Sequence, residues 1–80
     1  MQKSIHSQTY AVFLKHLYET REKAGITQEE LAERLGVTQS FVSKCERGER
    51  RIDIVELREF CMAMNTTMEK FIRQLDKKLN

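Results

Sequence analysis

The sequence contains no proline and no tryptophan, and only three glycines and two cysteines in 80 residues. A sheet protein of this size needs several tight turns, and the residues that make them are scarce. The composition therefore favours helices. Cys45 and Cys61 are too few and too far apart for a disulfide scaffold or a zinc cluster. Both fall at apolar positions of helical patterns, which reads them as small buried hydrophobes. His6 and His16 have no spacing that suggests a metal pair, so neither a metal nor a cofactor is expected. No apolar run approaches the ~18–20 residues of a membrane span, and the N-terminus lacks the apolar stretch of a signal peptide. A soluble, cytoplasmic chain is expected. There is also little excess of charge: a net +2 and a pI near 8.7 point to no partner by themselves.

What is present is helical periodicity. Residues 1–80 read as a single domain, whose core buries only about 60% of the surface the unfolded chain would expose. Met1–His6 shows no pattern and is expected to be disordered. From about Ser7 to Ala24, Tyr10, Phe13, Leu14 and Leu17 recur at i, i+3, i+4 and i+7, one apolar stripe on a helix. Ser7 or Thr9 is placed to cap its start, and Gly25 to end it. Thr27 and Glu30 have capping-box spacing, Leu31, Ala32 and Leu35 supply a buried face, and Gly36 closes a helix of about two turns. Such a short helix has no stability of its own and must be held by its neighbours. Thr38 then caps another helix, with Val37, Val42 and Cys45 turned inward and Gly48 at its end. Asp53 and Glu56 form a second capping box, before a helix whose inner face is Ile54, Leu57, Phe60 or Cys61, and Met64. Asn65 is a left-handed terminator. Thr66 or Thr67 caps a last helix over residues 66–80, with Thr66 favoured by its spacing to Glu69.

The third of these helices carries the functional signal. Gln39, Ser40, Ser43, Lys44 and Arg47 point away from its apolar side. This outer face is polar but weakly charged, and amide and hydroxyl side chains are those that exchange hydrogen bonds with base edges and phosphates. A short helix, a tight turn containing glycine and a second helix of this kind describe a helix-turn-helix, whose second helix enters the DNA major groove. Charge is also asymmetric here. Lys44, Arg47, Arg50 and Arg51 face only Glu46 and Glu49 within the same stretch, whereas Gln28-Glu29-Glu30 is acidic.

The run ITQEELAERLGVTQSFVSKCERGER, Ile26–Arg50, resembles the helix-turn-helix of the phage repressor and Cro family, also called the xenobiotic response element (XRE) family. The resemblance covers roughly Leu14–Ile72. It implies an all-α, five-helix, λ-repressor-like DNA-binding domain with the helix-turn-helix at helices 2 and 3. It also implies roles for matching positions. Gln28 resembles the residue that bonds a backbone phosphate and braces the first recognition residue. Thr38, the cap of the recognition helix, is counted among the DNA-binding residues, and Gln39 and Ser40 stand where the family makes its first base contacts. Gln39 suits adenine, whose N7 and N6 edge takes one donor and one acceptor. Lys44 reads a guanine edge or neutralises a phosphate, and Ser43 touches a base or a phosphate. Phe41 either packs on a thymine methyl or sugar, or is half-buried and structural. Arg21 and Glu46 resemble a buried structural ion pair. For Arg47, Arg50 and Arg51 two readings stand: phosphate contacts, or solvated charges at a helix C-terminus.

The expected function is sequence-specific binding of double-stranded DNA as a transcriptional regulator, a repressor on a palindromic operator. One such domain contacts few base pairs, so a homodimer is expected. Phe71, Ile72, Leu75 and Leu79 of the final helix form the stripe assigned to dimerisation, against the alternative of a frayed terminus. A DNA-binding antitoxin with a toxin partner is the second reading. An enzyme is not expected: the sequence has no nucleophile–base arrangement, phosphate-cradling glycine loop or metal-ligand spacing. No separate effector domain is expected within these 80 residues, which favours a simple regulator over a ligand-gated one.

Overall fold

The computed structural model describes residues 8–80. They form α1 (Gln8–Lys23), α2 (Gln28–Leu35), α3 (Gln39–Glu46), α4 (Ile54–Ala63) and α5 (Met68–Leu79), with no strand among the described residues. The expected tail Met1–His6 and the cap candidate Ser7 lie outside the described residues. Thr9 lies inside α1 and does not cap it. None of these helices is long and apolar enough to cross a membrane.

The turns explain why so few breakers suffice. Gly25, Gly36, Gly48 and Asn65 all adopt positive φ, from 62° to 79°. After each, the next N–H reaches back five residues: Ile26 to Arg21, Val37 to Ala32, Glu49 to Lys44 and Thr66 to Cys61, at 2.9–3.3 Å. That is the Schellman closure, which satisfies carbonyls a helix end would otherwise leave orphaned. Gly48 has a second constraint, because a Cβ there would stand 2.8 Å from the Leu14 side chain. The starts are equally local. Thr27 and Asp53 make full capping boxes with Glu30 and Glu56, and Thr38 accepts from the Phe41 N–H.

Apolar residues flank each of these caps. Ile26, Val37 and Ile52 immediately precede them, and Leu31, Val42 and Leu57 follow four residues later, all joining the core. These are the two positions of a hydrophobic staple. Ile26 and Val37 thus serve two helices each, ending one and stapling the next. Turns this short leave no slack, and the crossing of α2 over α3 is set by them together with buried Ala32.

The core is built from Leu17, Leu31, Val42, Cys45, Phe60, Cys61, Met64 and Phe71, with α1 on α5, α2 on α3 and α4, and α4 on α5. Both cysteines are fully buried free thiols, and burial pushes Cys61 up to about 11. Three expectations need correction. Ile54 is not on the inner face of α4 but 63% exposed, because Ile52 packs on the core just before the cap. Thr67, not Thr66, caps α5: the Thr66 N–H belongs to the closure of α4, and Thr67 accepts from the Lys70 N–H. Phe71 is fully buried against α1, so it has no surface to offer a second subunit.

His16 joins α1 to α5 from inside. Its Nε2 lies 3.0 Å from the Phe71 carbonyl, which can only accept, so Nε2 carries the proton. Nδ1 is then the acceptor for Lys78 Nζ at 3.0 Å, and the same ammonium donates to Glu19 at 2.7 Å. Burial holds the imidazole below its ordinary 6.5; the Phe71 carbonyl opposes this and the Lys78 charge reinforces it. As pH falls the unfolded chain takes up this proton first. The contribution to stability is present above about 6.5 and is lost as pH falls through the lowered folded value. Urea midpoints should therefore fall more steeply between about pH 6.5 and 5 for the native chain than for His16→Gln. Parallel profiles would show that His16 does not titrate in this way.

Candidate nucleic-acid interface

The outer face of α3 presents Thr38, Gln39, Ser40, Lys44 and Arg47 to solvent, with Ser43 and Phe41 half-buried. Val42 and Cys45 on the opposite side are completely enclosed. The face is held by its back. Any tilt of α3 would have to displace two side chains that already touch the core on all sides, and close-packed interiors resist that.

Polar bonds fix the same helix from beneath. Arg21 of α1 is 6% exposed and makes two bonds to Glu46 near the end of α3, Nε to Oε2 at 2.6 Å and Nη2 to Oε1 at 3.1 Å. Its Nη1 donates to the Ile26 carbonyl at 2.8 Å, in the turn before α2. These bonds raise the affinity of Arg21 for its proton above the ordinary value, chiefly through Glu46. Glu46 Oε1 also accepts from Gln28 Nε2 at 2.9 Å, and Gln28 Oε1 lies 3.5 Å from Gln39 Nε2. A continuous polar chain therefore runs from a buried guanidinium to the first exposed amide of α3. Sequence reasoning placed Arg21 with Glu46 and Gln28 beside Gln39. It missed the Gln28–Glu46 bond, because the two residues lie 18 positions apart on different helices and no periodicity links them.

The cations after α3 separate into different roles. Arg50 bonds both oxygens of Glu56, at 3.1 and 2.8 Å, and stacks 4.3 Å over the Phe41 ring. Glu56 is also the far half of the α4 capping box, so Arg50 braces the start of α4 against α3. Arg51 lies over the Tyr10 ring, 4.7 Å from its centroid. Arg47 bonds Glu49 at 2.8 Å and reaches the Ser43 hydroxyl, all on the exposed surface. Exposed pairs of that kind contribute little and exchange readily for another anion. Of the predicted interface, Gln28, Thr38, Gln39, Ser40, Ser43, Lys44 and Arg47 share one side of the molecule's α2–α3 pair, whereas the Arg50 guanidinium is turned to Glu56. Among the described residues no group of His, Cys, Asp or Glu side chains is placed to hold a metal ion.

Comparison with known proteins identifies the family and the fold. Residues 17–71 match the helix-turn-helix family. The chain is 32% identical over 57 residues to the uncharacterized HTH-type transcriptional regulator y4dJ of Sinorhizobium fredii, covering 71% of this chain and 74% of that one. Among solved structures, an XRE-family-like protein from Pseudomonas syringae superposes with a TM-score of 0.87 at 45% identity, covering 98% of this chain and 95% of the other. The restriction-modification controller protein C.Esp1396I superposes at 0.82 with 23% identity, over 91% of this chain and 95% of that one, and shares the fold.

The buried pair generates a stability expectation. Arg21→Met would leave the Glu46 carboxylate, 7% exposed, without its cation. Removing one partner of such a pair costs about 3–5 kcal/mol. Urea denaturation should show a loss of that size, and a variant as stable as the native chain would show that the pair does not hold α1 to α3.

Proposed function

The chain belongs to the XRE family of helix-turn-helix DNA-binding transcriptional regulators, and from that premise we propose that it is a repressor that binds a palindromic operator as a homodimer. The observation that carries the reading is the exposed row Thr38, Gln39, Ser40 and Lys44 on a helix fixed from behind by buried Val42, Cys45 and the Glu46 pair. Gln39 reads a base edge, Ser40 the next, and Ser43, Lys44 and Arg47 serve a base or the phosphates one turn on. Gln28, at the start of α2, faces the backbone of the same groove. Arg50 is proposed as a brace for α3 and α4 rather than a phosphate contact, because Glu56 and Phe41 occupy its guanidinium.

Dimerisation rests on α5. With Phe71 inside the core, the stripe that remains is Ile72, 40% exposed, and Leu79, 42% exposed, beside half-buried Leu75. Isolated apolar residues on a surface are ordinary, but this pair lies on one face of a helix at the edge of the molecule. A self-complementary contact there would pair two domains about a two-fold axis, the symmetry that a palindromic operator has.

Selection of bound sites from random DNA should return an inverted repeat with half-sites about one helical turn apart. The doubly substituted Ile72→Asp, Leu79→Asp chain should sediment as a monomer and lose the repeat's advantage over a single half-site. Sites without symmetry, or an unaltered dimer in the variant, would refute the dimeric arrangement. Salt dependence separates the cations. Lys44→Ala or Arg47→Ala should flatten the log–log slope by about 0.9 for each phosphate that is no longer neutralised. Arg50→Ala should leave the slope unchanged while lowering the melting temperature; a flattened slope would return Arg50 to the phosphates.

A further inference from the structure

A side-chain amide has two ends that differ only in hydrogen-bonding sense, and a helix that reads bases with an amide must fix which end faces the groove. Here the choice is forced from inside. The Glu46 carboxylate can only accept, and its position is set by two bonds from buried Arg21. Gln28 must therefore turn its Nε2 toward Glu46, at 2.9 Å, and its Oε1 outward. That oxygen faces Gln39 Nε2 at 3.5 Å, a long contact whose sense is nonetheless determined, since two carbonyl oxygens would repel. Gln39 is then left with one N–H and its carbonyl oxygen to offer.

We propose that Glu46 is a positioning residue for base reading: through Gln28 it fixes the polarity of the Gln39 amide, and so biases the half-site toward adenine over guanine at the base Gln39 meets. Adenine presents N7 as acceptor and N6 as donor, which match an N–H and a carbonyl. Guanine presents N7 and O6, both acceptors, and a reversed amide would turn its two N–H groups toward them. The relay disfavours that reversal. The buried pair thereby does more than hold α1 to α3. The inference rests on the reading of α3 as the base-reading helix, and concerns only the sense of one contact.

The test is competition binding of the full chain to the duplex recovered by selection and to duplexes changed one base at a time. Gln39→Ala first identifies the position that Gln39 reads. Glu46→Gln, which can donate as well as accept, should lower the adenine-to-guanine ratio there by about tenfold and leave the other positions unchanged. Gln28→Lys keeps the Arg21–Glu46 pair and still donates to Glu46, but offers Gln39 only a donor. It should turn the Gln39 amide round and move the preference toward guanine, and it serves equally where Glu46→Gln fails to fold. In the Gln39→Ala background neither change should alter the ratio further. A uniform change of affinity across all duplexes, with the ratio at that position intact, would overturn the proposal and leave Gln28 a phosphate contact. A native chain that selects no sequence at all would instead overturn the reading of α3 itself.

Discussion

The guanidinium of Arg21 stands where three parts of the chain meet. It leaves α1, donates to the carbonyl of Ile26 in the turn before α2, and closes on the carboxylate of Glu46 near the end of α3. Taking two such charges out of water is costly, and the geometry must supply enough bonds to offset it. It does so by using both guanidinium edges and by giving Glu46 a further donor in Gln28. An apolar replacement could be as stable, as is common for buried pairs. What it could not supply is direction: hydrogen bonds fix the rotation of one helix on another more narrowly than hydrophobic contact, which is roughly proportional to area and has no preferred orientation.

The same economy governs the turns. An eight-residue helix such as α2 or α3 is marginal on its own, so its ends must be satisfied locally and its sides covered by neighbours. Ile26 and Val37 do both, as each follows a left-handed glycine and precedes a threonine cap. Because one residue closes the earlier helix and staples the later one, the relative placement of α1, α2 and α3 leaves little freedom. That rigidity holds the exposed face of α3 in one orientation.

Charge is distributed with a similar division. Arg21 and Arg50 hold helices together, the first buried against Glu46 and the second bidentate to Glu56 over Phe41. Lys44 and Arg47 remain on the outer face of α3. The net charge of +2 does not reveal this division.

Much of this was legible in the residues alone. Caps and terminators act within four or five positions along the chain, so Thr27, Thr38, Asp53, Gly25, Gly36, Gly48 and Asn65 announced the helix ends. Helical spacing announced Leu17, Leu31, Val42 and Leu57 as core, and left open Phe60 or Cys61, both of which are buried. The tertiary structure decided whatever depended on which surface another helix had already taken. Ile54 shares the period of the α4 stripe, yet Ile52 fills the core beside it; Phe71 shares the period of the α5 stripe, yet His16 and Phe13 of α1 enclose it. Thr66 has the better spacing to Glu69, but its N–H is already engaged with Cys61. Arg50 has the sequence context of an exposed cation, but Glu56 and Phe41 lie beneath it. Local hydrogen bonding is written in sequence because its partners are neighbours in the chain, whereas competition for a partner is settled only in three dimensions.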